Sequence, residues 1–158
     1  MQQLTGKTST AALALGRLVA AHSEVTRELS ARLTDEHGLT LGEYEVLLLL
    51  SHAPREGMRR IDLANEVRLS PSGITRMLDR LETTGLVRKG SCASDARVTY
   101  AVLTDAGRSK LEECSGDHFA AVDRLLGERL DGTELSQLAD LLGRLASVDL
   151  EECEPGSG

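Results

Sequence analysis

The chain has 158 residues, with 18 Lys and Arg against 25 Asp and Glu, a net charge of −7, and aromatics at only 2% of positions. A chain of this size holds one compact domain or a small domain with flanking helices, and a Leu-, Ala- and charge-rich composition favours helical packing. No apolar run reaches the roughly 18 residues a membrane-spanning helix needs, so a membrane protein of that kind is excluded.

Residues 8–33 place Leu15, Leu18, His22, Val25, Leu29 and Leu33 at helical spacing, with Glu24, Arg27, Glu28 and Arg32 elsewhere, and predict a first helix. The run DEHGL ends it, with Gly38 suited to the turn beyond the last helical residue. Thr40 and Glu43 then stand at capping-box spacing before an apolar segment that runs to Leu50 and stops ahead of Pro54. MRR (58–60) predicts a short strand, and IDLANEVRL (61–69) a two-turn helix with Leu63, Ala64 and Val67 inward.

In RLSPSGITRMLDRL (68–81), Ser70 is a good N-cap and Pro71 fits the first helical position, where its missing N–H costs nothing. Ile74, Met77, Leu78 and Leu81 form the stripe that faces a core. The opposite face then holds Ser72, Thr75, Arg76 and Asp79, flanked by Gly73 and Arg80, and Gly85 closes the helix.

From Leu86 the period falls to two. LVRK and RVTYAVL predict two strands, with Val98, Tyr100 and Val102 on one face and the turn-rich GSCASDA between them. Arg88, Lys89 and Arg97 stand at or near the hairpin tip. Thr104 caps a long helix expected to reach about Leu130, with Leu111, Cys114, His118, Val122, Leu125 and Leu126 as its stripe. LDGT breaks it, Leu135, Leu138, Leu142 and Leu145 mark a last helix, and residues 149–158 form a tail expected to be disordered.

The expected fold is mainly α with a small β-hairpin wing: a winged helix-turn-helix flanked by N- and C-terminal helices. Charge is distributed to match. Residues 55–110 contain 11 Lys and Arg and 7 Asp and Glu, so a basic middle lies between acidic ends. That pattern suits a polyanion bound through one part of the chain. A helix N-terminus favours phosphate, small residues such as Ser72 and Gly73 allow close approach, and Arg76 one turn on can reach base edges or phosphates. A basic hairpin tip suits the neighbouring minor groove. The plain alternatives are an Arg76 paired with Asp79 on the surface and an Arg97 paired with Asp95 for structure alone.

The three cysteines, Cys92, Cys114 and Cys153, are odd in number, widely spaced and without a CxxC, and so predict free thiols rather than disulfides or zinc ligands. Cys92 lies beside cations that lower a thiol pKa, but an incidental exposed thiol is the simpler reading. The N-terminal MQQLTGKTST has no signal-peptide pattern, which gives a cytoplasmic expectation. Nothing suggests an enzyme, a metal or a cofactor: no nucleophile triad, nucleotide-binding glycine loop or carboxylate pair in an apolar setting is visible.

LSPSGITRMLDRLETTGLVRKGSCASDARVTYAVLTDAG, residues 69–107, resembles the MarR family of bacterial transcriptional regulators. The shared features are Ser-Pro-Ser opening a helix, TRMLDRLE, GLV, Asp-x-Arg in the wing and LTDAG opening the next helix; the layout fits from about residue 10 to about residue 148. The resemblance implies a homodimer on a palindromic double-stranded operator, with dimerisation through 8–36 and 105–148 and DNA binding through 39–104. By that resemblance Ser70, Ser72, Gly73, Thr75 and Arg76 face the major groove, Arg97 reaches the minor groove, and Asp95 holds it. Arg80, Arg88 and Lys89 are phosphate-contact candidates on their chemistry. The family also implies a small aromatic or anionic effector, for which His22 and His118, aided by Arg17 or Tyr44, are candidates. A histidine at a helix-packing seam is the commoner case. The expected function is a repressor released by an effector; the alternative is a winged-helix dimer that serves as a protein-interaction module without contacting DNA.

Overall fold

The computed structural model describes residues 9–54, 57–91 and 99–145. Expectations for Cys92, Asp95, Arg97, Val98, Cys153 and the 149–158 tail lie outside those residues. The described elements are α1 (Thr10–His37), α2 (Leu41–His52), β1 (Met58–Arg59), α3 (Arg60–Glu66), α4 (Pro71–Thr83), β2 (Val87–Ser91), β3 (Thr99–Leu103), α5 (Asp105–Gly127) and α6 (Gly132–Gly143). They fall into two compact units, Met1–Phe119 and Ala120–Gly158, divided inside α5. Among the described residues no helix is long and apolar enough to cross a membrane.

In the first unit, local chemistry sets most boundaries. α1 runs one turn beyond its expected end, because Gly38 at φ 70° donates its N–H back to the Leu33 and Thr34 carbonyls. Leu29 and Leu33 are buried and Val25 half-buried, whereas Leu15, Leu18 and His22, on the same stripe, are exposed. A 28-residue helix is ~42 Å long, and among the described residues burial is confined to its C-terminal part. The Thr40 and Glu43 capping box forms as expected. Each such cap contributes about 1 kcal/mol.

The core joins Leu33, Val46, Leu47, Leu63, Ile74 and Leu81 to Ala101, Leu111 and Cys114. On α4 the expected stripe is realised, with Ile74, Leu78 and Leu81 buried and Met77 half-buried against the core. The strands form one antiparallel sheet in the order β1-β3-β2, with Met58 opposite Ala101 and Lys89 opposite Ala101 on the other side. The register keeps the expected period of two along both ladders, and burial does not simply follow it. Ala101 and Val102 are both buried while Tyr100 is only half-buried. β3 is the middle strand, and its two faces are both covered at that point: Ala101 joins the core, and a Cβ built on Gly57 would lie 2.9 Å from Val102 Cγ2.

Thr104 joins α4 to α5. Its hydroxyl donates to the Gly85 carbonyl (2.7 Å), with Leu86 O at 3.0 Å, and accepts from Gly107 N–H (3.0 Å). Gly107 is required there, since an added Cβ would lie 2.1 Å from the Leu86 carbonyl oxygen.

In the second unit, α5 ends at Gly127, a few residues before its expected end, and Asp131 of the predicted breaker is the N-cap of α6, boxed with Glu134. α6 has no buried residue: its Leu138, Leu141 and Leu142 are exposed, as is Leu145 just beyond it.

Candidate nucleic-acid interface

The first turn of α4 is built for a close approach. Ser70 Oγ accepts from Gly73 N–H (3.1 Å) and lies 3.2 Å from Ser72 Oγ. Pro71 occupies the first turn without an N–H to satisfy. A Cβ on Gly73 would stand 3.2 Å from Ser70 Oγ, so a larger residue would crowd the cap. Ser70, Pro71 and Ser72 are exposed.

The cations expected on this face divide into two kinds. Arg76 is exposed, and its described contact is a long bond from Nε to Ser72 O (3.4 Å). Among the described ion pairs none joins it to Asp79, whose carboxylate lies 3.9 Å from Lys89 Nζ. Arg88 is likewise exposed and has no described ion pair. Arg80 and Lys89, by contrast, are engaged within the protein. Arg80 Nε lies 3.1 Å from Oε1 of Glu43, and its Nη2 reaches Gly38 O (3.5 Å). Glu43 is 2% exposed, and its other oxygen accepts from the Thr40 N–H (2.8 Å) and hydroxyl (2.9 Å). One carboxylate thus caps α2 and anchors α4. Lys89 Nζ lies 2.8 Å from Glu82 Oε2, and that hydrogen bond raises its pKa.

Thr75 is also occupied. Its hydroxyl donates to Pro71 O (2.7 Å) and accepts from Arg60 Nη2. Arg60, which the sequence reading did not single out, extends from the start of α3 to the middle of α4 and lines, with Asp79, Glu82 and Arg88, a shallow cleft between α4 and the sheet. Arg68 was missed as well. It sits exposed in the turn between α3 and α4 at φ 54°, a conformation uncommon for a non-glycine residue. The four arginines among residues 55–68, none of them assigned, were a weak signal, visible only as local basic charge.

The effector candidates are brought together in part. Tyr44 is buried, its hydroxyl 3.2 Å from Ser115 Oγ and its ring centroid 4.7 Å from that of His118. Burial lowers the His118 pKa, so the ring is neutral at pH 7. Arg17 and His22 lie on the exposed part of α1, and His22 is near enough to act electrostatically on Glu45 of α2. Cys114 is a buried core thiol whose pKa is pushed up by that burial, the opposite of a reactive cysteine.

A two-helix unit whose second helix presents a capped, small-residue N-terminus, followed by an antiparallel strand pair, defines a winged helix-turn-helix protein. Comparison with known proteins agrees. The MarR family model matches residues 39–99. The transcriptional repressor Rv2887 of Mycobacterium tuberculosis is 32% identical over 134 residues, covering 84% of this chain and 94% of that protein. Among solved structures, AbsC, a MarR family regulator from Streptomyces coelicolor, is 30% identical with a TM-score of 0.76, over 89% of this chain and 95% of that one. Sco3205 from the same organism, solved in complex with DNA, is 25% identical with a TM-score of 0.78 over 91% of each chain. CouR from Rhodococcus jostii RHA1, bound to p-coumaroyl-CoA, is 26% identical with a TM-score of 0.69, over 94% of this chain and 99% of that one. The chain belongs to the MarR family: it is a DNA-binding transcriptional regulator and not an enzyme.

Proposed function

We propose that the protein is a homodimeric repressor that binds a palindromic operator through α4 and the wing, and that a small aromatic or anionic effector releases it. The observation that carries the DNA-contact assignment is the exposed Arg76, without an ion pair among the described residues, one turn into a helix whose N-cap is satisfied and whose first-turn residues are small and exposed. Ser70, Ser72 and Gly73 allow the helix end to approach phosphate, and Arg76 is the side chain long enough to read a base edge. Arg88 and the wing pair Asp95 and Arg97 extend the contact to the neighbouring groove. Thr75, Arg80 and Lys89, occupied within the chain, contribute by holding α4 in position, and Arg80 and Lys89 also by their charge.

The division of labour we propose keeps 39–104 for DNA and 8–36 with 105–148 for dimerisation. Two exposed apolar sets support the second part: Leu13, Leu15, Leu18 and Val19 on α1, and Leu138, Leu141, Leu142 and Leu145 at α6. Exposed apolar rows of this kind are what a second copy covers. Two recognition helices then meet successive major grooves ~34–36 Å apart. The Tyr44 and His118 ring pair, and the ligand held by CouR, support an effector site that opens beside those rings. An effector releases the operator only if it binds more tightly to the dimer in which that spacing is lost.

A mobility-shift titration on DNA upstream of the protein's own gene tests this. Arg76→Ala is expected to weaken binding by about 1–3 kcal/mol and relax sequence preference at its contact. Arg97→Ala weakens binding chiefly to A·T-rich flanks, and log affinity falls steeply with log salt. Parent-like binding by both variants would remove the site assignment, and a salt slope near zero would remove the phosphate contacts.

A further inference from the structure

We propose that Glu36, His37 and Asp117 form a binding site for a divalent first-row transition cation, with Glu113 orienting the histidine ring. All four residues lie in the first unit, at the C-terminal end of α1 and on α5.

The starting observation is His37. Its side chain is only 6% exposed, and both ring nitrogens are buried without a hydrogen bond. A buried imidazole ordinarily donates through one nitrogen and accepts or donates through the other, and leaving either unmet is costly. Here acidic oxygens stand close but off the N–H directions: Glu113 Oε1 is 3.4 Å from Nδ1 and Asp117 Oδ2 is 3.1 Å from Nε2. Glu36 completes the group, and one donor atom each from Glu36, His37 and Asp117 lies within 4.8 Å of the others. Donors around a tetrahedral ion with bonds near 2.05 Å are ~3.4 Å apart. Glu36 and Asp117 are both exposed, so modest rotations of two solvent-facing carboxylates close the difference.

The remaining features suit a metal better than a proton alone. Glu113 and Asp117 are four residues apart on α5 and so share a face. Glu113 is tied to Lys110 (3.2 Å) and faces Nδ1, which leaves Nε2 for the cation beside Asp117. That is the carboxylate–histidine–metal arrangement, in which the outer acid sets the tautomer and raises ligand basicity. One imidazole nitrogen with two carboxylates is a mixed donor set that suits zinc and its neighbours, whereas Mg²⁺ and Ca²⁺ prefer oxygen alone. The exposed side of Asp117 leaves room for a water as a further ligand.

The test is a Zn²⁺ titration of the full chain, stripped with chelator and carrying Cys92→Ser and Cys153→Ser so that these thiols do not compete. Affinity is read against a chelating indicator at neutral pH, and circular dichroism checks each variant's fold. The expected result is one Zn²⁺ per chain, undisturbed by millimolar Mg²⁺ and weakened by about tenfold or more in Asp117→Asn and in Glu36→Gln. His37→Gln is expected to abolish it. Because Asp117 and Glu36 are exposed, their variants keep the test decisive if His37→Gln unfolds. Absence of Zn²⁺ binding would overturn the proposal and leave His37 as a histidine packed between two acids. Parent-like affinity in Asp117→Asn and Glu36→Gln would overturn it equally.

Discussion

At the scale of single residues, α4 is governed by which charges are already engaged within the protein. Glu43 is the pivot: its buried carboxylate caps α2 through Thr40 and holds Arg80 of α4. Removing it forfeits a helix cap and the ion pair together, whereas removing Arg80 takes away a partly solvated partner and leaves the cap intact. Urea unfolding should therefore show Glu43→Ala costing about 2–3 kcal/mol and Arg80→Ala about 1 kcal/mol. The reverse order would mean that the ion pair, not the cap, is the stabilising part. His118 supplies a pH signature. Burial holds its pKa below the ordinary value of 6.5, so its contribution is present above that value and fades as pH falls through it. Between about pH 7.5 and about pH 5 the parent should lose more stability than His118→Gln; parallel curves would show that the ring is not buried in solution.

At the scale of elements, caps and glycines carry much of the information. Ser70→Ala removes the acceptor for Gly73 N–H and should lower stability by about 1 kcal/mol, measured by thermal unfolding. If Ser70 only touched DNA, the unfolding midpoint would not move. The starts of α2, α4 and α5 were legible in sequence because Thr40, Ser70 and Thr104 act within three residues of themselves. Burial varies along faces that periodicity sets correctly. Tyr100 is half-buried where Val102 is buried, and Leu15 and Leu18 are exposed where Leu29 and Leu33 are buried. Periodicity tells which residues point the same way, but cover depends on what lies above them: β3 has cover on both faces, and the first half of α1 is exposed among the described residues.

At the scale of the whole molecule, the exposed leucines of α1 and α6 are the apolar surface that the proposed dimer covers. Sedimentation should give a dimer, and Leu138→Glu with Leu142→Glu should shift it toward monomer and weaken operator binding with it. A dimer unmoved by those changes would place the interface elsewhere. The sequence by itself determined the order of elements, the winged helix-turn-helix pattern and the apolar side of RLSPSGITRMLDRL, because those depend on spacing and short-range caps. Only the tertiary structure decided how the cations are used. Glu43 and Arg80, Arg60 and Thr75, and Glu82 and Lys89 meet because folded elements bring them together. Ion pairs between separate elements depend on side-chain reach and packing, neither of which is written in local periodicity. That same packing leaves Arg76 without an ion pair among the described residues and turns Asp79 toward Lys89.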